Sequence, residues 1–325
     1  MRIWFLSSLV FAGVAHAQTP VVLRGLPLAS PSGVSPKVIW IVNESQAQEA
    51  LKERNFTGAA EIYAQLAREA PTSALRTKFL GLETRTRTAK RIATLEEKAD
   101  AALKLRRWSE AGALYQQILT IPNFSWKKDA NLDFFHPTAI VAQTRSAARW
   151  NLGRCCFEQK KYAAALREFQ TNEPQPVAGL WCGNAISVIN HSQTLWQSAC
   201  LEGIGRYNEA VGNYARLSLD SPFFVDETAA RRLIALYRNA GQLRILQRWL
   251  DAADAQQAAR ARKNGWKQTS NDRPTNLLRH VLASRQSRNN EASETDLAKI
   301  SFPSISRQPL PSLDKLKAIS AKEFA

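Results

Sequence analysis

The sequence predicts an all-α chain: an α-solenoid of helical hairpins with irregular insertions and a disordered C-terminal tail. Three observations predict it. An aromatic residue, an alanine three positions on and a second aromatic four further recur in order as Phe56–Ala59–Tyr63, Trp108–Ala111–Tyr115, Tyr162–Ala165–Phe169 and Tyr207–Ala210–Tyr214. Steps of three and four place all three side chains on one helix face. Each set is preceded by a second apolar-periodic segment, such as Ala148 to Phe157 or Thr194 to Gly203. Each is followed by a proline, Pro71, Pro122, Pro174 or Pro222, and proline ends a helix by removing a donor and crowding the turn before it. The unit is therefore helix, short turn, helix, stop, and its recurrence marks a stacked array. Within it, the alanine admits a neighbouring helix closely while the two aromatics fill the space on either side.

The elements follow in order. Arg2, the apolar run Ile3 to Val14 and Ala15-His16-Ala17 have the layout of a secretory signal peptide over 1–17. This predicts an exported chain, periplasmic or secreted, that begins at Gln18. The apolar run is short for a ~30 Å hydrocarbon core, so no transmembrane span is expected in the mature chain. Residues 18–37, with Pro20, Pro27, Pro31 and Pro36, read as an extended leader. The repeat domain is expected over 38–286, with Val38 to Val42 fitting either a short strand or the start of the first helix. Pro274 to Gln286 fits one more helix, which would cap the array. Residues 287–325 are polar and proline-punctuated, and read as a disordered tail.

The spacing is irregular. The second helices open at Phe56, Trp108, Tyr162, Tyr207 and Leu243, giving steps of 52, 54, 45 and 36 residues. The first excess lies in 72–92, where Leu75, Phe79, Leu80 and Leu82 suggest an extra or elongated helix. The second lies in 123–143, where Phe124, Trp126, Phe134 and Phe135 suggest an aromatic-rich loop, and the third in 177–190, around Trp181-Cys182-Gly183-Asn184.

These units resemble the tetratricopeptide repeat (TPR), a helix–turn–helix of ~34 residues. The closest copy runs from Leu195 to Pro222, with Gly205 at the turn and Tyr207, Ala210 and Tyr214 at the packing face. Leu152-Gly153 adds the family's Leu-Gly step, and a degenerate fifth copy over 228–255 keeps Gly241 with Leu243, Leu246 and Leu250. The resemblance covers roughly residues 41–255. It implies that the first helix of each unit lines an inner surface that binds a peptide or protein segment. Carried over position by position, that surface would include Trp150, Asn151 and Arg154 in the third unit, Trp196 and Glu202 in the fourth, and Arg231 and Arg238 in the fifth. Tryptophan and arginine suit such a role because they combine large buried area with directional contacts. Two other readings stand beside it: Trp150 and Trp196 packing between units, and Arg231 and Arg238 lying on solvated faces.

Export makes the cysteines candidates for disulfides. A bridge between the neighbours Cys155 and Cys156 would be strained, so each is expected to pair with Cys182 or Cys200, unless all four are free buried thiols. No metal site is expected, because C-x-x-C pairs are absent and His191 is the only histidine between Cys155 and Cys200. No cofactor is expected, and no enzyme: G-x-S-x-G, H-E-x-x-H, P-loop and Rossmann patterns are absent.

The net charge is +16, concentrated in two stretches. Residues 76–107 carry ten Lys/Arg against four acids, and 231–288 carry thirteen against three. Such fields attract acidic partners. Nucleic acid is disfavoured by compartment and by the lack of a recognition motif. The expected function is a non-catalytic exported scaffold holding a protein or peptide segment, in the setting of cell-envelope assembly. The alternative is a basic envelope protein that binds anionic polymers or lipids, and a hydrolase with an unrecognised site is the third reading.

Overall fold

A computed structural model describes residues 36–124, 135–171, 183–219, 227–265, 275–283, 300, 302–303 and 310–323. Among these the chain is all-helical. The helices are α1 (Pro36–Lys52), α2 (Phe56–Glu69), α3 (Ser73–Lys104), α4 (Trp108–Thr120), α5 (Pro137–Glu158) and α6 (Tyr162–Thr171). They continue with α7 (Gly183–Gly203), α8 (Tyr207–Ser218), α9 (Glu227–Asn239), α10 (Leu243–Lys263), α11 (Asn276–Ala283) and α12 (Leu313–Glu323). Val38 to Val42 belong to α1, so the helical alternative holds there. The residues expected to form a signal peptide, and nearly all of those expected to form an extended leader, lie outside the described residues, as do parts of the two later insertions.

Each opening residue expected from the sequence begins the second helix of a hairpin: Phe56, Trp108, Tyr162, Tyr207 and Leu243 start α2, α4, α6, α8 and α10. Consecutive helices touch along the whole series α1 to α10. The alanines of the four motifs, Ala59, Ala111, Ala165 and Ala210, have no exposed surface. Tyr63, Tyr115, Phe169 and Tyr214 are buried beside them. Glycine serves the same end where an aromatic comes closest. A Cβ on Gly153 would stand 2.7 Å from the Phe169 ring, and one on Gly203 would overlap the ring of Tyr162.

The five hairpin turns are the same turn. Arg54, Arg106, Lys160, Gly205 and Gly241 all have positive φ, between 56° and 80°. In each case that residue's amide donates to the carbonyl three positions back. The next residue's amide donates to the carbonyl five positions before itself, as in Arg106 to Leu103 with Arg107 to Ala102, and Gly205 to Glu202 with Arg206 to Leu201. This double bond satisfies the last carbonyls of the first helix and reverses the chain. Glycine adopts the left-handed region freely, whereas a side chain there costs about 1–2 kcal/mol.

Polar side chains of one unit close the preceding one. Arg145 of α5 donates to the carbonyls of Ile118 and Leu119 at 3.0 Å, and to that of Ile121, at the end of α4. Gln193 and Gln197 of α7 donate to the Phe169 carbonyl near the end of α6. The excess at 72–92 is taken up by α3, a single helix of 32 residues, about 48 Å long at 1.5 Å per residue.

Two expectations are corrected. The described part of 287–325 is ordered against the array. Ile300 and Leu316 are buried, Phe302, Leu310, Leu313 and Ile319 pack on the same core, and α12 contacts α8 and α10. The polar composition misleads because the apolar residues that dock are few and widely spaced. The cysteine pairing also fails for the described residues: Cys155, Cys156 and Cys200 are free thiols, while Cys182 lies outside them. Helical neighbours such as Cys155 and Cys156 point about 100° apart. Cys155 faces Gly112, whose Cβ would sit 3.5 Å from its own, and Cys200 is buried in the core of the later units. They act as small hydrophobes. Burial pushes the thiols of Cys155 and Cys200 up to about 12, which leaves them protonated and inert near neutral pH.

The shared turn makes opposite predictions for two kinds of substitution. Gly205→Ala and Gly241→Ala should each lower the unfolding free energy by about 1–2 kcal/mol. Arg106→Gly and Lys160→Gly should leave it unchanged or raise it by up to about 1 kcal/mol. Urea denaturation of the four variants reads the sign directly.

Candidate functional site

The residues expected to line an inner surface separate into two groups. Trp196 is 5% exposed and sits among rings: its centroid lies 5.2 Å from Phe157, 5.6 Å from Phe169 and 6.2 Å from Trp150. Trp150 lies 4.9 Å from Phe169 and is half-buried. The packing alternative thus describes Trp196, which is no exposed anchor. Arg154 is half-buried with its guanidinium 5.8 Å from the Trp196 centroid, and Asn151 is half-buried on the turn of α5 between Trp150 and Arg154. Arg231 and Arg238 are exposed on α9; Arg231 pairs with Glu227 one turn earlier. The structure does not gather these residues into one open surface. Glu202 is buried and bonded to Arg232 and Tyr214.

An open cleft lies instead near the other end of the array. It measures about 420 Å³ and is walled by α1, α3 and the start of α5, the first helices of the first three units. Binding sites for small molecules and side chains are commonly of this size. Apolar walls come from Leu51, Leu82, Phe135 and Pro137, and Tyr63 contributes from α2. The rim is polar. Lys78 Nζ donates to both oxygens of Glu44, at 2.8 and 3.1 Å. Arg85 donates to Thr138 Oγ1 at 3.2 Å and stands 5.6 Å from the Phe124 ring. His136 caps α5, its Nδ1 accepting the Thr138 amide at 3.2 Å. Burial and the Glu44 charge push the Tyr63 hydroxyl up to about 12, so it stays a neutral hydroxyl.

The elongation of α3 makes this cleft. Lys78, Gly81 and Arg85 occupy successive turns of its first half, in the excess over the usual unit length. Gly81 sits inside the helix with ordinary helical backbone, and a Cβ there would meet nothing within 4 Å. Sequence reasoning counted Lys78 and Arg85 only as charge and passed over Gly81. The available signal was a glycine inside a long helical stretch, a residue with a local cost that usually has a packing or access reason.

A further cluster of ionisable groups lies on the second half of α3. Glu96 and Asp100 stand one turn apart on α3, with Tyr115 donating to Asp100 at 2.5 Å and Arg54 donating to Glu96 at 3.4 Å. Desolvation outweighs the Arg54 charge and holds Glu96 up at about 7. Among the described residues there is no group of three or more His, Cys, Asp or Glu placed to hold a metal ion, and no helix long and apolar enough to cross a membrane. Compared with protein-family models, curated proteins and solved structures, the chain finds no match.

Glu96 gives a pH prediction. Its folded pKa, about 7, lies above the model-compound value of 4.5, so the folded state favours the protonated acid. That contribution is fully present below the unfolded pKa and is lost as the pH rises through 7. Glu96→Gln, which mimics the protonated acid, should therefore match the native chain near pH 4 and exceed it above pH 7.5. The gain should be on the order of 1–3 kcal/mol, read by denaturant titration at both pH values.

Proposed function

We propose that the chain is an exported, non-catalytic scaffold of TPR type, an α-solenoid that holds a segment of another protein against the first helices of its early units. The observation that carries this reading is the open cleft between α1, α3 and α5. It combines apolar walls with a paired Glu44 and Lys78 at its rim, and it lies on the helices that the resemblance makes the inner surface. An aliphatic or aromatic side chain of the bound segment enters between Leu51 and Leu82. Its main-chain groups meet Gln48, Thr77 and the rim charges, which supply donors and acceptors without a fixed net sign. The reading is non-catalytic: at the cleft Glu44 and Lys78 are paired with each other, Arg85 and His136 bond groups of Thr138, and the raised acid Glu96 is not among the lining residues.

Gly81→Leu tests this reading without damaging the fold. The added side chain projects from a position with free space, and replacing a helix-interior glycine should raise stability by up to about 1 kcal/mol. Screened against a displayed random-peptide library, the native chain should enrich a consensus with one large apolar residue. Those peptides should bind Gly81→Leu at least about tenfold more weakly, and should keep most of their affinity in ~0.5 M salt. Failure to enrich any peptide, or equal binding to the stabler variant, contradicts the proposal.

A second reading is favoured by the turn edge. The repeated turns display Arg54, Arg106 and Lys160, followed by Arg107, Lys161 and Arg206, all exposed. Ser109 Oγ bonds Gln159 between the second and third turns at 3.4 Å, so those two turns are neighbours. Basic side chains stand at three left-handed positions that glycine would fill at less cost. On this reading the edge holds an anionic polymer or lipid surface. Heparin serves as the test polyanion: retention should fall steeply between ~0.1 and ~0.5 M salt, and an R106A/R107A/K160A/K161A variant should elute markedly earlier. Unchanged elution removes this reading.

A further inference from the structure

The fourth and fifth units are built around a buried carboxylate. Glu202, at the end of α7, is 1% exposed. It accepts from Arg232 Nε of α9 at 3.0 Å, from a second nitrogen of the same guanidinium, and from Tyr214 Oη of α8 at 3.2 Å. Three helices are thus tied at one point, and these bonds satisfy the carboxylate from α8 and α9 alone.

A segment from the C-terminal region lies on this cluster. Arg232 also donates to the main-chain carbonyl of Pro303. The Phe302 ring centroid is 4.7 Å from the Arg232 guanidinium carbon and 6.3 Å from the Tyr214 ring. Ile300 is 6% exposed within the same core. Farther along, Tyr237 Oη donates to the Pro311 carbonyl at 2.9 Å. Both polar contacts go to main-chain carbonyls, while side-chain identity is read at Ile300 and Phe302. The Phe302 amide donates to the Ile300 carbonyl at 2.9 Å, closing a tight turn. Bound peptide segments are held in a comparable way: main-chain bonds supply affinity, and pockets for side chains supply specificity.

We propose that Ile300, Phe302 and Pro303 are the built-in occupant of a second peptide site. This site takes from a partner protein a short turn-forming segment of the same chemistry: an aliphatic residue and, two positions on, an aromatic residue followed by proline. The cradle of Glu202, Tyr214 and Arg232 is complete before the segment arrives, so its departure leaves no buried charge unpaired. What departure uncovers is an apolar surface shaped for Ile300 and Phe302, and the same pattern on a partner covers it again. Because the chain's own segment is tethered, it competes at an effective concentration in the millimolar range. A partner segment therefore meets a site that is held shut until it offers more contacts than the tail does. This site is distinct from the cleft between α1, α3 and α5, and the two assignments stand or fall separately.

The test uses the full chain and a fluorescent peptide copying residues 297–306, read by anisotropy. The peptide should bind an Ile300→Ala/Phe302→Ala chain at least about tenfold more tightly than the native chain, since the variant's tail competes poorly. A peptide with alanine at the position of Phe302 should lose that binding. The proposal is overturned if the variant, helical and unfolding cooperatively, does not bind the peptide. Equal binding to both chains, or equal binding of both peptides, also overturns it. Should the variant fail to unfold cooperatively, amide exchange on the native chain decides. Excess peptide should speed exchange at Ile300 and Phe302, and no change at those amides overturns the proposal. Sedimentation showing native dimers that the peptide dissolves would assign the site to a second copy's tail and overturn the partner assignment.

Discussion

The structure depends on one arrangement repeated along its length: a fully buried small residue in the same helix-packing core as a buried aromatic ring. Ala59, Ala111, Ala165 and Ala210 are completely buried beside Tyr63, Tyr115, Phe169 and Tyr214. Gly153 and Gly203 receive the rings of Phe169 and Tyr162 at distances no side chain would permit. The ring supplies most of the buried area, and the small residue sets how closely the helices approach. Because each helix uses this arrangement toward its neighbour in sequence, the array grows by local steps. The same left-handed turn then reverses the chain in all five hairpins.

That economy decides where binding takes place. In the later units the rings are consumed by packing. Trp196 is enclosed by Phe157, Phe169 and Trp150, and the surface beside α8 and α9 is covered by the chain's own segment around Phe302. In the early units α3 is longer than its partners. Its first half runs past α4, and the space it shares with α1 and the start of α5 is left open. A length mismatch between neighbouring helices, rather than a particular catalytic pattern, makes the cleft.

The sequence showed the helical class, the opening residue of every second helix and the elongation of α3, because these follow from periodicity within one segment. It did not show which tryptophan is buried. Residues on the same helix face read alike whether the facing neighbour is a helix or solvent, and that neighbour lies dozens of residues away. Among the described residues the disulfide expectation failed for a related reason: an expected compartment and an even count permit pairing, but pairing needs facing Cβ atoms. The docked segment near the C-terminus was missed because Ile300, Phe302, Leu310 and Leu316 are spaced too widely to form a periodic stripe. Gly81 was legible in principle, as a helix-interior glycine that no turn requires.

The close packing at these alanines is tested most directly by enlarging the small residue. Ala59→Leu, Ala111→Leu, Ala165→Leu and Ala210→Leu place the same three extra carbons at equivalent positions in four units. If this packing sets the helix spacing, each should cost at least about 1–3 kcal/mol in denaturant unfolding, and the four losses should be of similar size. Any of the four tolerated within about 0.5 kcal/mol would contradict the account, because that unit would then be packed by something else.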